Sequence, residues 1–481
     1  MSAKRGVTRR GFLTVAVSAI VAGVVAGVGA YYAAPVKEVV KEVTKTLERT
    51  VTTTTTLAPG APVTTTVTVT APPTTLTTTV RETVTTTVTA TPPPPKPLLE
   101  GQEVKVGVVL PLSGALAIFG EAGLRGYQLA TEEINEAGGI LGAKIKLLVE
   151  DFAGDPKVAL TATEKLLTVD KVHVVTGGYM SAALATTQEI TERYSVPLLS
   201  IGGAADELTA KGYKYYFALT MAASEFAKFT MEFAADVIKP KTVGVVYEKT
   251  LRGESTKNAF LKLAKEYNFT VVSEEGYPFG GLDYKPLLEK IKLADPDLLL
   301  FVAYITDAAL LAKQMHEIGY KPKAVAVEAG VQNLEFLELT GKYIKGWFVQ
   351  TEFWPERNYP SYDEAFRIGL KFWKRFGKGT DNVVIPAYNN LYILKDAIER
   401  AKSLDPKKIR DAVAETNLFL PWFGRIQFGA NGRRTNQQET FTISQVLPAR
   451  PHIPWQAHGL TYYAVWPDRL RTAEPIYPMP T

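Results

Sequence analysis

Val104-Lys105-Val106-Gly107-Val108-Val109-Leu110, closed by Pro111, is a short β-branched run. Its length and its proline stop mark a buried strand that ends at a loop. Helical spacing of apolar residues follows over 120–136, then a second strand over 144–151. Asp155-Pro156 opens the next helix, because an acidic N-cap followed by proline suits a first turn whose N–H groups lack partners. A strand over 172–176, a helix over 181–194 and a strand over 196–200 continue the alternation. Strand-helix-strand repetition at this spacing predicts a parallel sheet covered on both faces.

A second series starts after Ala222. Strands are expected over 242–247, 269–277, 298–302 and 324–327, alternating with helices over 254–267, 284–294 and 307–319. Beyond Gly346 helices are expected over 362–376, 387–401 and 406–415, with short strands near 425–428 and 441–445. The tail from Pro448, rich in proline and aromatics, is expected to lie along the surface.

Upstream of Val104 the chain has another character. Thr8-Arg9-Arg10-Gly11-Phe12-Leu13 leads into an uncharged apolar run that ends near Val36. The pattern is that of a twin-arginine export signal, and the run is long enough to cross a hydrocarbon core of about 30 Å as a helix. Lys4, Arg5, Arg9 and Arg10 precede it, which places the N-terminus inside and all that follows outside. Two readings stand: cleavage near Ala30, or retention of residues 1–36 as a membrane anchor, which the next segment favours. Residues 37–98 are dominated by Thr, Val and Pro and lack the large side chains that offset backbone ordering, so they are expected to form a disordered stalk.

Of the 54 Lys/Arg and 49 Asp/Glu, 10 and 5 precede residue 101, which leaves 44 of each sign in the remainder. That neutrality removes the electrostatic footprint of a nucleic-acid binder. There is no cysteine, and His173, His316, His452 and His458 are scattered, so no metal cluster or thiol nucleophile is indicated. The chain has no Gly-x-Ser-x-Gly elbow, His-Glu-x-x-His pair or P-loop lysine, so no enzyme and no cofactor is expected.

Four stretches carry a family resemblance: Pro111-Leu112-Ser113-Gly114 after the first strand, Glu133-Ile134-Asn135-Glu136-Ala137-Gly138-Gly139-Ile140-Leu141-Gly142, Glu150-Asp151 followed by Asp155-Pro156, and Glu207-Leu208-Thr209. In type and order they resemble the type I periplasmic binding proteins of branched-chain amino-acid ABC transport, over residues 102–445. The resemblance implies an α/β fold of two Rossmann-like lobes with parallel-sheet cores, joined by a three-strand hinge that closes on a ligand. It assigns 99–220 plus 351–440 to the first lobe and 221–350 plus 441–481 to the second lobe and tail, with crossovers near Leu219, Gln350 and Thr442. Its partners would be an amino acid or related amide or organic acid, then an ABC permease and ATPase.

The same resemblance supplies candidate ligand residues. Ser181, at the start of a helix, matches the serine that takes a ligand carboxylate; it also suits a plain N-cap. Gly202 and Gly203 let backbone approach the ligand, and Ala204 stands where a threonine is usual. Glu328, after a strand, matches the glutamate that pairs with an α-ammonium, and Tyr304 would form a wall. Arg252 stands where many relatives have an aromatic; it would take a second carboxylate or pair with Glu328 across the cleft. Phe119 replaces a tyrosine. These departures leave the ligand open among polar or acidic amino acids, amides and organic acids. A membrane-tethered sensor or surface adhesion protein on the Thr-rich stalk is the alternative.

Overall fold

The opening apolar run forms β1 (Glu103–Leu110), which pairs in parallel with β2 (Lys144–Asp151) and β3 (Val174–Gly177). The computed structural model describes residues 96–328, 331–352, 362–450 and 456–480; the signal, anchor and nearly all of the stalk expected before them lie outside the described residues. β4 (Leu198–Ser200) and β5 (Tyr216–Ala218) complete an all-parallel sheet of order β2-β1-β3-β4-β5. Its connections are α1 (Ala117–Glu136), α2 (Pro156–Thr168), α3 (Ser181–Tyr194) and the single turn α4 (Glu207–Ala210). Asp155 caps α2 as its sequence suggests, its carboxylate accepting from the Lys157 N–H at 2.7 Å.

After Ala218 the chain crosses into a second sheet. Here lie α5 (Ala223–Phe233), β6 (Thr242–Glu248), α6 (Leu251–Glu266), β7 (Thr270–Tyr277), α7 (Lys285–Ala294), β8 (Leu298–Val302), α8 (Ile305–Glu317), β9 (Val325–Glu328), α9 (Leu334–Thr340) and β10 (Phe348–Thr351). The chain then returns. α10 (Tyr362–Phe376) is tied to α1 by Lys371–Glu133 at 2.6 Å and Arg375–Glu132 at 3.1 Å, and α11 (Val384–Ala401) packs along α1. α12 (Pro406–Ala414) and the hairpin β11 (Leu418–Leu420) and β12 (Gly424–Ile426) follow, before β13 (Thr442–Pro448) and β14 (Leu460–Trp466) rejoin the second sheet.

That sheet has the order β14-β13-β10-β9-β8-β6-β7, with β13 and β14 antiparallel and the rest parallel. β14 corrects the expectation of a surface tail from Pro448. Leu460-Thr461-Tyr462-Tyr463-Ala464-Val465-Trp466 is itself a β-branched and aromatic run, and six of its seven residues are buried. Both sheets are covered on both faces. Along β8, Leu299 and Phe301 join one apolar cluster while Leu298, Leu300 and Val302 join another, the period-two alternation that leaves no polar face in the sequence.

Candidate functional site

The candidate residues come from loops at the carboxyl ends of strands in both sheets, where helix starts expose unpaired N–H groups. On the second sheet, Thr250-Leu251-Arg252-Gly253 turns directly from β6 into α6. The Thr250 hydroxyl caps the helix by accepting from the Gly253 N–H at 3.1 Å. A side chain at Gly253 would meet the Glu248 carbonyl oxygen at 1.8 Å, so glycine is what lets the helix start lie against the strand end. This tight turn points Arg252 back at Glu248, the last residue of β6.

Arg252 Nε and Nη2 lie 2.8 and 2.7 Å from Glu248 Oε1, and Nη1 lies 3.2 Å from Glu328 Oε2 at the end of β9. All three side chains are buried. The pairing with Glu328 therefore exists, but within the second sheet's own loops and not across the cleft. Burial pushes both carboxyls up to about 7 against the lowering effect of Arg252, and the guanidinium is held well above its ordinary value by the two carboxylates despite desolvation. Glu248 Oε2 and Glu328 Oε1 are buried with no hydrogen-bond partner among the described residues. Asp307 adds a further buried carboxyl, raised by desolvation and accepting from the Tyr284 hydroxyl at 2.9 Å.

The opposing wall is aromatic. Phe119, at the start of α1, stacks on Tyr179 at 4.2 Å, and both rings reach Tyr304 of the second sheet, at 6.1 and 5.9 Å. Tyr304 also carries the Arg252 guanidinium 4.3 Å from its ring centre and packs on Phe279 at 5.2 Å. The rings of the two lobes thus close directly on one another, with Phe119 and Tyr304 each 1 % exposed.

Ser181 is the first residue of α3, with Met180 in the N-cap position, so the plain capping role does not hold. Its hydroxyl accepts from the Ala205 N–H at 3.3 Å and so braces the 202–205 loop. Gly203 has φ +83. The carbonyls of this loop are already engaged: Gly203 O by Arg433 at 3.2 Å and Ala204 O by the Ala223 N–H at 2.6 Å. Phe119, Tyr304, Arg252 and Glu328 form one cluster; Ser181 and the Gly202-Gly203-Ala204 loop lie on the first-sheet side, joined by the Ser181 bond. Sequence reasoning missed Glu248, Tyr179 and Phe279. Glu248 ends a strand just as Glu328 does, and Tyr179 sits two residues before Ser181, so the rule that selected those neighbours reaches them as well.

Two parallel-stranded lobes, crossovers between them and a buried cluster at the strand ends define a two-lobed ligand-binding protein. A sequence profile described as "Periplasmic binding protein" matches residues 103–447, and the chain belongs to that family, whose members are non-enzymatic ligand binders. It is 26% identical over 330 residues to the Leu/Ile/Val-binding protein homolog 7 of Brucella abortus (strain 2308), covering 66% of this chain and 82% of that one. The fold resembles the substrate-binding protein LivJ of Streptococcus pneumoniae solved with isoleucine, with a TM-score of 0.65, 24% identity, and coverage of 75% of this chain and 100% of that one. It also resembles an ABC-transporter solute-binding protein of Rhodopseudomonas palustris solved with 3,4-dihydroxybenzoic acid: TM-score 0.66, 18% identity, 75% of this chain and 95% of that one.

Proposed function

We propose that the chain is the extracytoplasmic substrate-binding component of an ABC importer, taking an amino-acid-like ligand between its lobes and delivering it to a membrane permease. The observation that carries the ligand class is the charge count at the second-sheet loops. Two buried glutamates share one arginine, and each keeps an oxygen without a hydrogen-bond partner among the described residues. Buried charge is stable only when paired, so the cluster favours a ligand that brings a cationic headgroup. The α-ammonium of an amino acid supplies one, and Ser181 with the adjoining helix start suits its carboxylate. The B. abortus relative named for Leu, Ile and Val supports the amino-acid class. Arg252 and Phe119 favour an amino acid whose side chain is polar or aromatic over a purely aliphatic one. The lobes in this reading are residues 99–220 with 351–440, and 221–350 with 441–481. Residues 1–36 direct export and stay as the anchor, with the Thr-rich stalk as tether.

A thermal-shift screen of the full chain against amino acids, amides, aromatic acids and sugars tests the ligand class. A ligand at 100 times its dissociation constant adds about 2.7 kcal/mol to stability. A selective rise with amino acids supports the proposal. A rise with aromatic acids alone overturns the cationic headgroup, and no rise in any class returns the adhesion reading to first place.

A further inference from the structure

Asn431-Gly432-Arg433-Arg434 is an Asn-Gly turn followed by two arginines that are 3 and 2 % exposed, outside the buried cluster of Arg252, Glu248 and Glu328. The backbone is docked on the free edge of the first sheet: the Ala218 N–H donates to Gly432 O at 2.9 Å, and the Arg434 N–H to Ala218 O at 2.9 Å. Ala218 ends β5, where the first crossover begins. Arg433 then bonds four carbonyls in two groups. Nη1 donates to Thr220 O and Met221 O on that crossover at 3.0 and 3.2 Å, and Nη2 to Gly203 O and Ala205 O at 3.2 and 2.9 Å. Ala205 is the residue whose N–H is held by Ser181.

Arg434 links the first crossover to the second. Its Nε donates to Leu219 O at 3.3 Å, and Nη2 lies 3.6 Å from Glu352, the residue that follows β10 where the chain leaves the second sheet. Glu352 in turn takes the side chain of Gln332 onto its own N–H at 2.6 Å. The third crossover begins a few residues after Arg434 itself. A crevice of about 580 Å³ lined by Asp206, Ser224, Glu225 and both arginines opens beside them.

We propose that Arg433 and Arg434 are positioning residues that join the hinge to the ligand loop, so that a change in crossover geometry is transmitted through the 203–205 carbonyls to Ser181. This rests on the reading of the cleft as the ligand site. Planar guanidinium forks can hold several carbonyls in fixed directions at once, which a lysine ammonium on a flexible stem does not do. The prediction concerns the lobes even without ligand: they hold one relative orientation while the pair is intact and sample several when it is not.

The full chain has no native cysteine, so spin labels at Val169→Cys and Leu282→Cys, one on each lobe and 71 and 87 % exposed, report interlobe distance cleanly. In the ligand-free protein, Arg433→Lys and Arg434→Lys are each expected to broaden the distance distribution. Both keep the charge and so guard against simple failure to fold. Tyr127→Phe removes a buried hydroxyl contact to Thr176, 2.5 Å long and inside the first lobe, and is expected to lower the melting temperature with the distribution unchanged. Either lysine variant matching the wild type, or Tyr127→Phe broadening the distribution equally, overturns the proposal. Since no ligand is added, a failed ligand screen leaves this result standing.

Discussion

Among the described residues two arginine clusters are buried, and they are built in opposite ways. Arg433 and Arg434 are two cations with one ion-paired carboxylate, Glu352, with Glu225 near by, and their hydrogen bonds go to backbone carbonyls. Arg252 is one cation between two carboxylates, each with a spare oxygen. Both clusters keep buried polar atoms without a hydrogen-bond partner among the described residues, Arg433 Nε, Arg434 Nη2 and Glu352 Oε1 in the first, so what distinguishes them is the sign of the surplus charge and the carbonyls that hold the first. In the second, two carboxyls share one cation, and a cationic ligand would pair with the carboxylate charge that Arg252 alone does not balance once both are ionised.

The contrast is most exposed to Arg252→Met. It strands two carboxylates and is expected to destabilise the ligand-free protein by about 3–5 kcal/mol in urea unfolding. Arg434→Met strands one carboxylate and should lose less. Equal losses would erase the distinction between the clusters. Glu328→Ala leaves the headgroup site half built and is expected to weaken binding of the ligand found in the screen by more than about 2 kcal/mol by titration calorimetry. Glu352→Gln, in the other cluster, keeps affinity nearer to wild type. Gly432→Ala attacks the arginine turn through the backbone. Its φ is +76, and an added Cβ would lie 2.0 Å from Tyr216 O, so a loss of about 2 kcal/mol in thermal unfolding is expected.

The two clusters share one pH dependence of stability and differ in that of binding. Burial raises Glu248, Glu328 and Glu352 to about 7 in the folded protein from an ordinary 4.5. The folded form then binds more protons than the unfolded one between those values, so these groups make stability fall as pH rises from about 4.5 through 7, and the fall ends above 7. A cationic ligand needs Glu248 and Glu328 ionised, so its affinity should rise about tenfold or more from pH 5 to pH 8. Affinity that stays flat over this range would speak against a cationic headgroup. The smallest expected effect is Ser181→Ala, about 1 kcal/mol of binding, because the Ala205 N–H loses its acceptor. A loss as large as that of Glu328→Ala would shift the weight of recognition to the first lobe.

Much of the fold was legible because its strands are buried on both faces. The continuous apolar run 298–302 coincides with the observed β8, the run at 144–151, with charged residues at both ends, coincides with the edge strand β2, and the helix at 362–376 matches its observed bounds. What escaped was short or masked by neighbours. β5 and β10 have three and four residues, too few to show a period, and β14 follows a proline-rich stretch that dominated the reading of the tail. The site was legible where one residue ends a strand, as Glu328 does. That Glu248 would share Arg252 with it depends on two strands being neighbours of a third, β6 and β9 flanking β8, which is a property of sheet order and leaves no local trace.

Sheet order also sets when each lobe becomes whole. β10 lies between β9 and β13, and β13 with β14 comes from residues 442–466, while α1, near the start of the first lobe, is covered by α11 from residues 384–401. The first lobe lacks α11 until residue 401 is made, and the second lacks β13 and β14 until residue 466 is made. Contacts so distant in sequence form slowly. Apolar faces of each lobe stand open until those late segments arrive, and a holding chaperone would find its substrate in that interval.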